Sequence, residues 1–371
     1  MDDPLALRPH DLLAREAVPA TGQAVDGGVV VTAVRGARVG RDAVGHAATL
    51  AVETHEPPDR RVIGPTLRSV NDDVHECYGA RMLCRTTPLL AGRRVLITGG
   101  GRGIGRALAV HMHERGARVA LLGLEPERLQ EAAAEAGDAP WRFCDVADHH
   151  ATRAAIDDLA GSLGGLDVVV ANAGIGRQLP LVGGDPAVLA TTLRVNVVGT
   201  GNTIDAAGPH VAHPGGYVLL TSSLGAVVHL PLMGAYSASK AAVEALASTL
   251  RQELHHTGAR VGVASFAELD TEMTRRGFDT DAARAALSGL TLTGVAPLGP
   301  AVDAVERGIA RRSRRIASPA WVPAVRAIAP VATAVVARRL RAGVPEALRI
   351  ARDERVPFTT EQPDAPERMR A

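Results

Sequence analysis

The feature that most constrains this chain is a texture that begins at Arg93. Short apolar runs alternate with stretches of helical length rich in Ala, Leu, Arg and Glu. The runs are Arg94–Thr98, Arg118–Leu122, Trp141–Cys144, Val168–Ala171, Tyr217–Thr221 and Arg260–Phe266. Strands this uniformly apolar need cover on both faces, which antiparallel sheets seldom give and parallel sheets require. Right-handed crossovers through the intervening helices then wind the sheet in both directions. The expected fold class is therefore α/β, a doubly wound parallel sheet with helices on both faces.

The segments outside this pattern read differently. Residues 1–88 hold clusters such as Asp26-Gly27-Gly28 and Glu56-Pro57-Pro58-Asp59, with no clear helical periodicity. They are expected to be a poorly ordered N-terminal extension, with Met82 as an alternative start. Residues 89–318 form the predicted domain. Residues 319–371 are expected to add one or two amphipathic helices as far as Arg352, then a tail from Val356. Val322 to Ala337 is the most apolar late stretch, but Arg326, Pro323 and Pro330 interrupt it, and it is too short to span a bilayer. Its basic and apolar residues would suit a membrane surface; packing on the domain or on a partner subunit is the commoner role.

Composition narrows the function. A formal net charge of +1 over 371 residues gives no electrostatic reason to expect nucleic acid. Cys77, Cys84 and Cys144 cannot all pair and show no C-x-x-C spacing, which suits a reducing compartment. No charged start leads into an apolar run, so no signal peptide is expected and the cytoplasm is the default location. His111 and His113, two apart on a predicted helix, point to different faces, and no metal site is expected.

Thr98-Gly-Gly-Gly-Arg-Gly-Ile-Gly105 follows the first apolar run and opens a helix predicted from Ile104 to Arg115. Glycines there permit positive φ and let the backbone approach a pyrophosphate, whose charge then faces the helix N-terminus. In a strand–turn–helix context this indicates a dinucleotide site on a Rossmann fold. Tyr236 and Lys240 lie four apart, so they share a helical face. Lys240 is the only lysine in a chain whose other basic residues are arginines. A compact ammonium with a tunable pKa is something arginine cannot supply. Beside a phenol it favours the phenolate, so the spacing predicts that Lys240 lowers the Tyr236 pKa toward neutrality and equips it as an acid/base.

The T-G-x-x-x-G-I-G spacing of Thr98 to Gly105 resembles the short-chain dehydrogenase/reductase family, and later motifs follow in that family's order. They are Asp145-Val146, Asn172-Ala173-Gly174, Asn196 within Arg194-Val-Asn-Val197, Thr221-Ser222-Ser223 and Tyr236-Ser-Ala-Ser-Lys240. The resemblance covers about Leu90 to Ser318. It implies hydride transfer between a nicotinamide and a carbonyl or alcohol, with Asn196, Ser223, Tyr236 and Lys240 as the catalytic set. It implies cofactor contacts from Gly99, Arg102, Gly103, Ile104, Gly105, Asp145, Val146, Asn172, Ala173, Gly174, Tyr236, Lys240 and Thr271. Ser223 would polarise the substrate oxygen, and Asn196 would support a water linking Lys240 to solvent.

Where dinucleotide folds often carry an acid on the ribose, this chain has Gly123, and Arg102 is placed to pair with a 2′-phosphate; Glu125 argues the other way. NADP is therefore favoured over NAD. The family's Pro-Gly after the sixth strand is replaced by Phe266-Ala267, which leaves a second reading in play, a dinucleotide-binding sensor or scaffold without turnover. The stretch from Glu272 to Leu298, rich in Thr, Ala and Leu, is the expected substrate lid and suggests an apolar small-molecule substrate. The small, apolar face of Ala241–Ala247 suggests a homo-oligomer, with burial inside the same subunit as the competing reading.

Overall fold

Strand by strand, the apolar runs become one seven-stranded parallel sheet in the order β3-β2-β1-β4-β5-β6-β7. The structure is a computed structural model that describes residues 89–277, 280–287, 294–354 and 356–362. The predicted N-terminal extension lies outside the described residues. The chain runs β1 (Arg94–Thr98), α1 (Gly103–Glu114), β2 (Arg118–Gly123), α2 (Pro126–Glu135), β3 (Trp141–Phe143), α3 (His149–Leu163) and β4 (Val168–Ala171). It continues through α4 (Pro186–Leu193), a single π-helical turn at Arg194–Val198, α5 (Gly199–Val211), β5 (Tyr217–Ser223), α6 (Gly234–Glu253) and β6 (Arg260–Phe266). Then come α7 (Glu272–Gly277), α8 (Asp281–Leu287), α9 (Leu298–Ala310), β7 (Arg315–Ser318), α10 (Val322–Ala327), α11 (Ala329–Leu340) and α12 (Val344–Asp353).

The two-residue period of a strand explains why the sheet needs both helix layers. In β1, Val95 and Ile97 pack into one core with Leu108 and Met112 of α1. Leu96 between them faces the opposite core with Ile156 and Leu159 of α3. Both cores are built from buried side chains, and each fully buried Leu or Ile contributes about 1.5–3 kcal/mol of transfer free energy. β1 pairs with β2 on one side and β4 on the other. The chain therefore reverses its winding there and opens a crevice beyond the strands' C-terminal ends.

Three expectations are corrected. Arg315–Ser318 was not singled out as a strand. It is only four residues, begins in an arginine-rich stretch, and pairs with β6 along Val263–Phe266. The C-terminal region holds three helices rather than one or two. Pro323, Pro330 and Pro345 each occupy the first turn of a helix, where a missing N–H costs nothing, so the prolines start helices instead of merely interrupting one. The predicted tail from Val356 is not free as far as it is described. Thr359 is only 3% exposed; its N–H donates to the Gly176 carbonyl at 3.1 Å, and its hydroxyl accepts from the Gly176 N–H at 3.0 Å. Phe358 lies under the Arg177 guanidinium, 5.5 Å from charge to ring centroid.

The helices beyond the sheet are tied down specifically. α12 packs its Ala347 and Ala351 on Ala282 and Ala286 of α8. The Glu354 carboxylate accepts from the Asp281 and Ala282 N–H groups at 2.9 and 3.1 Å, so it neutralises the exposed amides at the start of α8. Glu244 of α6 holds Arg326 of α10 at 2.6 Å. Among the described residues no helix is long and apolar enough to cross a membrane.

Candidate active site

The glycine turn is shaped by close approach. Gly99 has φ +66°, and a Cβ there would lie 2.9 Å from Ala173 Cα. A Cβ on Gly105 would lie 2.1 Å from the Gly99 carbonyl oxygen, so only glycine lets α1 start so near the strand end. The Thr98 hydroxyl accepts from the N–H groups of Asn172 and Ala173, both at 3.1 Å, and Asn172 Nδ2 donates to the Thr98 carbonyl at 3.2 Å. These bonds lock the β1 and β4 loops together.

Gly103 is different. It has φ +54°, and its missing Cβ would point into open space, first meeting Thr271 at 3.9 Å. Glycine at this position keeps a cradle clear at the N-terminus of α1, which fits a dinucleotide pyrophosphate. Gly99, Arg102, Gly103, Ile104, Asp145, Val146, Asn172, Ala173, Gly174 and Thr271 all line one cavity of about 770 Å³. Gly105 does not; its part is packing behind the turn.

Around the expected adenosine end, Gly123 closes β2 and lines the cavity, and Glu125 precedes α2. Arg102 Nε pairs with Glu125 at 3.0 Å and its Nη1 with Glu272 at 3.1 Å. Its Nη2 donates to the Thr359 carbonyl at 2.6 Å and bonds the Thr360 hydroxyl. The guanidinium holds the Glu272 carboxyl below its ordinary pKa. Asp145 accepts from Arg194 at 2.9 Å and from the Ala147 N–H at 2.9 Å.

Tyr236, Lys240 and Ser223 converge at the other end of the cavity. Both α6 residues are buried, Tyr236 at 8% and Lys240 at 5% exposure. The Ser223 and Tyr236 hydroxyls are hydrogen-bonded, which brings two hydroxyl groups to one point of the cavity wall. Lys240 Nζ donates to the Thr221 carbonyl at 3.0 Å and lies 5.6 Å from the Tyr236 ring centroid. Asn196 is held on the π-helical turn: Nδ2 donates to the Ile175 carbonyl and to Ser239, both at 2.9 Å, and Oδ1 accepts from the Ile175 N–H at 2.8 Å. A Cβ on Gly174 would lie 3.3 Å from Asn196 Oδ1 and 3.4 Å from Lys240 Nζ. Asn196 is therefore adjacent to the lysine but behind the cavity wall. Ser222 also lines the cavity, but its hydroxyl donates to Glu244 of α6 at 2.9 Å.

Electrostatics correct one expectation. Burial pushes the Tyr236 phenol up, and the Ser223 hydrogen bond only partly opposes this. Burial likewise pushes Lys240 down to about 8. Desolvation disfavours both charged forms, and Lys240 Nζ, which lies over the ring rather than at the hydroxyl, does not bring the phenol down.

Phe266-Ala267 stands where the family resemblance implies Pro-Gly. Phe266 ends β6 in the core at 4% exposure, and the Ala267 N–H donates to the Ser318 carbonyl at 3.0 Å. Thr271 then caps α7, accepting from the Thr274 N–H at 3.4 Å. In the stretch expected to form a lid, the described residues include α7 and α8, and α8 brings Ala283, Ala286 and Leu287 to the cavity.

Sequence reasoning missed Thr359 and Thr360, which reach the cavity from 88 and 89 residues beyond Thr271, and it missed the lining from α10 and α11. No local motif marks either.

The short chain dehydrogenase family matches residues 93–282. The chain belongs to that family and is an oxidoreductase of the short-chain type. D-threitol dehydrogenase from Mycolicibacterium smegmatis is 33% identical over 195 residues, covering 51% of this chain and 75% of that protein. A short chain dehydrogenase from Burkholderia cenocepacia, solved in complex with NADP, is similar at a TM-score of 0.55 and 31% identity. It covers 62% of this chain and 96% of its own. A dehydrogenase/reductase from Sinorhizobium meliloti gives a TM-score of 0.56 at 29% identity, over the same shares of the two chains.

Proposed function

We propose that this protein transfers a hydride between NADP(H) and a carbonyl or alcohol, with Tyr236 as the general acid/base. The observation that carries this reading is the convergence of Ser223, Tyr236 and Lys240 on the cavity into which the glycine turn opens. A bound nicotinamide would supply or accept the hydride. In reduction, Tyr236 Oη gives its proton to the carbonyl oxygen as charge develops there, and Ser223 donates a hydrogen bond to the same oxygen. The Lys240 ammonium stabilises the charge left on Tyr236, and Asn196 fixes the backbone beside the lysine so that a water can return the proton. In oxidation the same groups work in reverse.

NADP is favoured because β2 ends at Gly123 with no acid on it and Arg102 reaches the region; a tenfold or greater preference for NAD in kcat/KM overturns that choice. A cytoplasmic location and a homo-oligomer belong to the same reading. Val243 and Ala247 of α6 face the subunit's own core, while Ala241 and Ala245 are exposed and available to a second copy.

The test is Tyr236→Phe, assayed with a panel of carbonyls and alcohols and with both nicotinamides. Turnover is expected to fall about 10²–10⁴-fold, the usual contribution of general acid–base catalysis, with NADPH binding by fluorescence unchanged. Wild-type turnover in the variant refutes the assignment. NADPH binding by the native protein without turnover of any panel member favours the non-catalytic sensor.

A further inference from the structure

From α10 and α11 we infer the substrate class: an elongated, apolar alcohol or carbonyl compound, with its reacting oxygen at Tyr236 and its body along these two helices. This rests on the oxidoreductase reading and adds what the site is shaped to hold.

Residues 321–340 contribute eight residues to the lining of the cavity that holds Tyr236, and all eight are apolar. The same stretch contains Arg326, Thr333, Arg338 and Arg339, and none of these lines the cavity. A random helix face would not sort its residues in this way. From Ile328 to Leu340 the wall runs about 18 Å at the α-helical rise per residue. That is far longer than a four-carbon polyol, and a polyol would leave its hydroxyls unpaired against it.

The exposed side chains give a second, independent indication. Leu230, Val295, Ile328, Val331 and Val335 are all large, apolar and between 37% and 61% exposed. They come from three separate segments, and every one of them also lines this cavity. Exposed apolar residues gathered at one opening mark an entrance for an apolar body. Val295 and the whole of α10 and α11 lie beyond residues 93–282, which the family model matches. The position is held from outside the cavity as well, because Glu244 on the helix of Tyr236 grips Arg326 on α10. The wall and the acid/base are therefore fixed to one another.

The experiment is a homologous series of straight-chain ketones and their alcohols, assayed with the full chain and NADP(H). As the chain lengthens, kcat/KM is expected to rise about fourfold per added methylene until the wall is filled. Val335→Asp, at the exposed entrance, is expected to lower kcat/KM for the longest members about tenfold or more. Val182→Asp, at a still more exposed position outside the cavity lining, leaves them at the wild-type value. A series flat in chain length, or best activity on polyols, overturns the inference and leaves the oxidoreductase reading intact. Binding is read separately from turnover, by titrating the Trp321 fluorescence with 1-alkanols of increasing length. Length-dependent binding with no turnover anywhere in the series retires the oxidoreductase reading while the apolar wall stands. Binding independent of length overturns the wall.

Discussion

Lys240 illustrates how a residue is placed against its own solvation. It lies fully inside α6, its ammonium touches one carbonyl, and burial lowers its pKa from 10.5 to about 8. Below pH 8 both the folded and unfolded chains carry this proton, and the folded state bears the cost of burying it. Between about 8 and 10.5 the folded chain has released the proton and the unfolded chain has not, so this group's burden on stability shrinks as pH rises. The displacement corresponds to about 3 kcal/mol. Lys240→Met is therefore expected to be inactive and yet more stable than wild type at pH 7. Urea unfolding at pH 7 and pH 10 checks this: the advantage of the variant should largely vanish at the higher pH. A difference that does not change with pH would mean that the folded and unfolded chains hold this proton equally, so that burial does not lower the Lys240 pKa. At the same scale, the tyrosine, lysine, serine and glycine positions were all legible in the sequence. Their electrostatics were not, because desolvation depends on everything packed around α6.

Among the elements, the segment 356–362 was the least legible. Its sequence has no periodicity, and only its docking on Gly176 and Arg102 reveals where it belongs. Arg102 divides its nitrogens among Glu125, Glu272 and this segment, so a 2′-phosphate that pairs with Arg102 has to displace one of them. Ending the chain after Glu354 removes that competitor. One hydrogen bond to a charged group is worth about 1.5 kcal/mol, so NADPH should bind about tenfold more tightly to the shortened chain. Energy transfer from protein to nicotinamide fluorescence measures this. Weaker binding would show instead that the segment helps to hold the cofactor. β7 escaped sequence reading for a related reason: four residues carry too little periodicity, and its strand state is imposed by the open edge of β6.

For the whole molecule, the crevice at the reversal between β1 and β4 couples cofactor binding to folding, since its walls come from both halves of the sheet. A ligand at a hundred times its dissociation constant adds about 2.7 kcal/mol. For a domain of this size that should raise Tm by about 5–10 °C. NADPH is expected to give this shift in a calorimetric scan, and NADH at the same concentration a smaller one. The reverse order would transfer the preference to NAD.

The sequence alone settled the strand–helix alternation, the glycine turn and the residues of the Tyr236 site, because each depends on a local period or a short spacing. It could not settle what lies far along the chain but close in space. The pairing of β7 with β6, the apolar wall of α10 and α11, and the return of Thr359 to Gly176 were decided only by tertiary packing. These segments have no strong preference of their own, and they take their conformation from the sheet edge, cavity and helix ends they cover.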